Sequence, residues 1–192
     1  LRNILKDRTL VVVYLENSLK SWPAWAARTP DAIIKVNTLV KDLSNFFAQW
    51  GPDIVLNGHS GGGRFIFSYI DSSIEIPAKI ERIAFLDSSY GYEDTLHGPK
   101  IERWLNSGKK KYLCTLAYND SVVIYNGKPL VSPTGGTWYR SKMMKGYLSQ
   151  SFRFRVKESD SIQWNMARGR RIEIILKSNP DRKIFHTTQV EL

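Results

Sequence analysis

The sequence predicts an α/β protein: a three-layer sandwich with a mostly parallel sheet, helices on both faces and an insertion before the last strand. Three observations carry this. Apolar, strand-like runs alternate with segments of helical spacing in the order β, α, β, α, β, α, β between Leu10 and Tyr118. Each strand–helix–strand succession implies a right-handed parallel crossover. Ile54, Val55 and Leu56 form the short apolar run expected of a strand buried on both faces. The 192 residues fit one domain spanning 1–192.

Leu10 to Leu15 (LVVVYL) is rich in β-branched residues and reads as a central strand. An aromatic loop with Trp22, Pro23 and Trp25 follows. Thr29 is a good N-cap, Pro30 fits a first helical position and Asp31 suits the positive helix end. Ile33, Val36, Val40, Leu43, Phe47 and Trp50 then recur at helical spacing, and Gly51-Pro52 ends the helix. The strand at Ile54 comes next, then a Gly-rich turn and a helix over Arg64 to Ile70. Ile74 to Pro77 is a connector. Arg82 to Leu86 is a strand ending at Asp87, Pro99 to Asn106 a helix, and Lys111 to Tyr118 a strand ending near Asp120.

Residues 122–170 differ. Turn signals at Asn126-Gly127, Ser132-Pro133 and Gly135-Gly136 break the pattern, with a short helix near Lys142 to Leu148 and an alternating strand over Phe152 to Val156. The stretch is too long for an ordinary connection and reads as an insertion, either a lid or a folded excursion. Arg171 to Leu176 is the last strand, and Asn179-Pro180 turns the chain towards His186.

The most informative stretch is Asp53 to Arg64, DIVLNGHSGGGR. A buried strand, a tight turn holding Ser60 between glycines, and a helix form the context of a nucleophile elbow. Gly58, Ser60 and Gly62 meet G-x-S-x-G in full, and the chain resembles the α/β-hydrolase family. The resemblance implies an α/β-hydrolase-like fold and a serine hydrolase of esterase or lipase type. It would cleave an ester or amide through a Ser-His-Asp triad and an acyl-enzyme. Ser60 is then the nucleophile, and the Gly61 amide one donor of the oxyanion hole. His186, after the last strand, matches the family's catalytic His, whereas His59 reads as a packing residue and His97 as part of a loop. For the acid, Asp120 occupies the family's usual place and is preferred; Asp87 occupies the place used by some lipases of this fold. Typical members have strands before the one at Leu10 to Leu15, and the loop giving the second oxyanion amide is either missing here or replaced by Glu16 to Trp22, so the chain reads as a fragment. Any targeting signal could lie outside it.

Within the insertion, Thr134 to Arg140 is expected to overlie the pocket, with Trp138 and Tyr139 as an apolar wall and Arg140 as a donor to substrate. The substrate would be a small or polymeric ester. The net charge of +10 admits an anionic substrate or surface, but no nucleic-acid motif accompanies Lys109 to Lys111 or Arg168 to Arg171. No apolar run is long enough to span a bilayer. The mechanism needs no cofactor, no Cys/His cluster has metal-ligand spacing, and the lone Cys114 reads as a small core residue. A rival reading is a catalytically inactive module binding saccharide or cell-wall polymer through Trp22, Trp25, Trp138 and Tyr139; those aromatics equally fit core packing.

Overall fold

The computed structural model of the chain describes residues 10–186. Its elements are, in order, α1 (Trp22–Arg28), α2 (Ala32–Phe46), β1 (Ile54–His59), α3 (Gly62–Asp71), β2 (Ile80–Leu86), α4 (Asp94–Asn106) and β3 (Tyr112–Tyr118). A small hairpin of β4 (Ile124–Tyr125) and β5 (Lys128–Pro129) follows. Then come α5 (Gly136–Leu148), β6 (Arg155–Ser159), β7 (Ile162–Ala167) and β8 (Ile172–Lys177).

Six strands form one mixed sheet in the order β1-β2-β3-β8-β7-β6. The first four are parallel, while β7 and β6 return antiparallel. Leu56, Ile83, Leu113, Ile172 and Ala167 stand in one cross-strand row on one face. That row belongs to a single core with Val36 and Val40 of α2, Phe67 of α3, Trp104 of α4 and Met144 of α5. Trp104 also donates its indole N–H to Ile80 O at 2.8 Å, so a large buried ring keeps its polar atom satisfied.

Three expectations are corrected. The helices share one face, so the described residues form two layers and not a three-layer sandwich. The strand order explains this. The sheet grows in one direction from β1 to β8, and successive right-handed crossovers in one direction put every connecting helix on the same side. The opposite face, with Val55, Arg82, Cys114 and Ile175, carries no helix among the described residues. Second, Leu10 to Leu15 forms no strand. Its apolar side chains from Leu10 to Tyr14 are exposed, because no described strand pairs with it. Third, residues 122–170 are only partly an excursion. They supply α5, which packs on the sheet, and the two antiparallel strands that finish it.

Boundaries also move. The aromatic loop is the helix α1, capped by Ser21, whose hydroxyl accepts from Ala24 N at 3.3 Å. α2 begins at Ala32 with Asp31 at its N-cap. α4 starts five residues before Pro99 and so takes in His97.

Candidate active site

Parallel strands deliver their carboxyl ends to one edge of the sheet, where open α/β folds collect ligands. β1 ends there at His59 and β2 at Leu86. The next residues, Ser60 and Asp87, both adopt left-handed backbone, with φ of 51° and 47°. For residues with a Cβ this conformation is strained by roughly 1–3 kcal/mol and persists only where the surroundings enforce it. At Ser60 the enforcement is close packing. A Cβ on Gly58 would lie 2.8 Å from the Gly62 carbonyl carbon, and one on Gly63 would lie 1.8 Å from Ser88 O. Only a glycine-flanked turn lets α3 cross so near both β1 and the chain after β2. Gly61 is the N-cap of α3, so its amide has no acceptor within the helix.

Asp87 is buried, and Asp87 N donates to Leu116 O at 2.7 Å. Its Oδ2 lies 2.5 Å from Nδ1 of His186, and its Oδ1 accepts from the Thr137 hydroxyl. The hydrogen bond to Asp87 is the main cause that raises the His186 pKa, with burial opposing it. The carbonyl of His186 accepts from Nε2 of His59 at 2.8 Å. A carbonyl only accepts, so Nε2 of His59 carries the proton. The two imidazoles are 4.8 Å apart. His59 thus anchors the segment bearing His186.

The Ser60 side chain lies beside the Tyr90 hydroxyl, and no hydrogen bond joins it to His186. Burial, followed by the Asp87 charge, pushes the Tyr90 pKa up to about 12. Tyr90 therefore stays protonated at neutral pH and can donate.

Asp120, the preferred acid of the sequence reading, does not touch His186. It is buried beyond the end of β3, where Oδ2 accepts from Thr137 N at 2.7 Å. Oδ1 has no partner. Burial is the main cause that raises its pKa, and the Thr137 amide opposes it. Asp120 instead caps α5. Gly136, at φ 77°, makes this possible, since a Cβ there would fall 2.4 Å from the carboxylate. Thr137 sits between the two acids because its one hydroxyl proton serves Asp87 while its amide serves Asp120.

The segment Thr134 to Arg140 splits accordingly. Thr137 reaches the site. Trp138 packs on Ala117, Ile174 and Leu176. Arg140 donates to Tyr92 O at 2.8 Å and pairs with Glu93 at 2.9 Å. Tyr139 is half-buried beneath the Arg140 guanidinium, 6.0 Å from its ring. Helical geometry is the reason. Thr137 and Ser141, one turn apart, both face the chain after β2, where Ser89 meets Thr137 O at 3.2 Å and the Ser141 hydroxyl at 2.9 Å. The intervening side chains point elsewhere.

Trp22 and Trp25 are also occupied. Their rings meet edge to face at 5.4 Å, and Trp22 contacts Phe65 at 4.8 Å. His97 is buried within α4, with Nδ1 accepting from Glu93 N at 2.8 Å and Nε2 3.1 Å from Asp71. Among the described residues no group of three His, Cys, Asp or Glu side chains could hold a metal ion. Tyr90, Thr137 and the anchoring role of His59 escape sequence reading. Only the place of Tyr90, three residues beyond a strand-end aspartate, offered a signal. No family model, curated protein or solved structure matches the chain.

Proposed function

We propose that the chain is a serine hydrolase of α/β-hydrolase type acting on an ester or amide. The observation that carries this is a serine at φ 51° on a strand-to-helix turn, at the sheet edge that also holds a His186–Asp87 pair. Nδ1–H of His186 donates to Asp87, which leaves Nε2 with a lone pair to act as base. In this mechanism the Ser60 hydroxyl turns to Nε2 of His186 when substrate binds, since catalytic hydrogen bonds are often unformed without substrate.

Ser60 Oγ attacks the carbonyl carbon while Nε2 accepts its proton. The carbonyl electrons move to oxygen, and the Gly61 amide stabilises that oxyanion, a contribution of about 3 kcal/mol for one such donor. The intermediate collapses to an acyl-enzyme, and the leaving group departs with the proton from His186. Water then attacks the acyl carbon, again giving its proton to Nε2, and Ser60 is released as that proton returns to Oγ.

A fluorophosphonate probe tests this reading. Wild-type chain should be labelled at Ser60 and hydrolyse a short-chain ester, while Ser60→Ala should do neither and keep its fold. Unchanged ester turnover by pure Ser60→Ala protein would sink the assignment.

A further inference from the structure

The sheet edge opposite Ser60 carries a combination of side chains that hydrolysis does not use. β1, β2 and β3 are parallel, so their first residues gather there. The helices run back towards the same end and bring with them the C-terminus of α2 and the chain after α3. Phe46 and Trp50 are exposed there at 74% and 67%, and Ile74 at 83%. The aromatics are contiguous: Phe46 meets Phe47 at 4.9 Å, and Phe47 meets Trp50 at 6.0 Å between ring centroids.

Lysines flank this patch. Lys79 O accepts from Ile54 N at 2.9 Å, so Lys79 adjoins the start of β1. Lys109 and Lys110 directly precede β3, two strand spacings or about 10 Å away. All three are exposed, and none has an ion pair among the described residues. Lys111 is different: it is buried and donates to Ile80 O at 2.8 Å, a structural role. The acidic groups at this end do not cancel the charge. Glu75 is taken by Arg103 at 2.7 Å and Glu81 is buried, which leaves Asp53 and Asp42, the latter one turn before Phe46 and next to the exposed Lys41.

Single exposed apolar residues need no explanation. An exposed Trp and Phe that share Phe47 as a neighbour, with an aliphatic residue and unpaired lysines at the same end, match a bilayer interface. Aromatic rings favour the headgroup depth there, and anionic lipid attracts each lysine. An aliphatic side chain gains from burial among acyl chains and gains nothing from a hydrated phosphate backbone, which favours lipid over nucleic acid. No helix among the described residues is long and apolar enough to cross a membrane, so the contact is peripheral. We propose that this end docks on an anionic phospholipid bilayer: Phe46, Trp50 and Ile74 enter the headgroup layer, Lys79, Lys109 and Lys110 meet lipid phosphates, and Ser60 faces away from the membrane.

Co-sedimentation of the whole chain with phosphatidylcholine vesicles, with and without phosphatidylserine, tests this. Binding should require phosphatidylserine and weaken with salt, with a blue shift of tryptophan emission. Lys109→Ala with Lys110→Ala should lower partitioning on the order of 30-fold. Phe46→Ala with Trp50→Ala should lower it about tenfold or more. Both double variants alter exposed side chains, and unchanged thermal midpoints would confirm that they fold. Four results would overturn the proposal: no binding to either vesicle, equal binding to both, full binding by both variants, or binding to a DNA duplex without binding to vesicles.

Discussion

Nδ1 of His186 lies 2.5 Å from Oδ2 of Asp87, with the Asp87 side chain 2% exposed and that of His186 34% exposed. A buried carboxylate and a half-open imidazole make an asymmetric pair. The carboxylate is fixed, and the imidazole is partly open to solvent, as the proposed base would need to be. Asp120, also buried, is held by the N-terminus of α5 and has no such partner. The carboxylate oxygens of the two acids are therefore predicted to have unequal effects on turnover. Asp87→Asn should lower kcat by about four orders of magnitude, by analogy with the serine-protease triad. Asp120→Asn should lower it less than about tenfold, because an amide oxygen still accepts from Thr137 N. Matched ester kinetics on the two variants decide this, and a crippled Asp120→Asn with an active Asp87→Asn would reverse the assignment.

How much of this was legible in the sequence follows from what is local. The turn at Ser60 was readable because strand, glycines and helix are contiguous, and the strain at Ser60 is set by glycines within three residues of it. The acid was not. Asp87 and Asp120 both follow strands, and the choice rests on where the chain beyond β8 returns. That return is fixed by contacts across the fold: Asn179 donates to Asn119 O at 3.1 Å, and Phe185 packs on Tyr118. β7 was missed because polar Gln163 and Asn165 fill its inward positions. Asn165 is buried there because it donates to Ile174 O at 2.9 Å. Leu10 to Leu15 misled for the opposite reason, since β propensity makes no strand without a partner.

The pH dependence should run in opposite directions for activity and for stability. The His186 pKa is raised above its ordinary 6.5, chiefly by the Asp87 hydrogen bond. Catalysis needs the neutral imidazole, so kcat/KM should rise with pH through that raised value. The stability contributed by the pair is fully present below 6.5 and is lost as pH rises through the raised folded value. Asp120 adds to that loss at the acidic end. Its pKa is also raised, so the folded state holds a proton that the unfolded state has released, and stability falls as pH rises through that window. NMR titration of His186, with thermal midpoints across the same pH range, checks both signs. A His186 midpoint below 6.5 would contradict the first.

Thr137 is a positioning residue in this account, acting on His186 through Asp87. Thr137→Val removes the hydroxyl and leaves a buried carboxylate oxygen without its donor, at a cost to stability of about 1–3 kcal/mol. With less of its charge shared, Asp87 should hold the imidazolium more strongly and move the activity limb to higher pH. Thr137→Ser keeps the donor and should restore the wild-type profile. A purely structural role would lower stability in Thr137→Val and leave the limb where it was.

Gly63 and Gly146 make a matched pair of tests for the packing that strains Ser60. Both lie in helices, and alanine is intrinsically the better helix former by about 0.5–1 kcal/mol. At Gly146 of α5 nothing lies within 4 Å of an added Cβ, so Gly146→Ala should stabilise by about that amount. At Gly63 the Cβ would fall 1.8 Å from Ser88 O, a backbone atom that cannot swing aside. Ser88 is itself fixed, its hydroxyl donating to Gly58 O at 2.7 Å, so moving it would disturb β1 and the turn at Ser60 together. Gly63→Ala should therefore destabilise by about 3 kcal/mol, the upper range for overpacking. It should also lower fluorophosphonate labelling of the folded protein, because relief of the clash moves α3 and the Gly61 amide away from Ser60. Urea unfolding of both variants, with labelling rates measured where each remains folded, gives the comparison. Equal stability of the two would mean that α3 does not pack against the chain after β2 as closely as the contact at Gly63 requires.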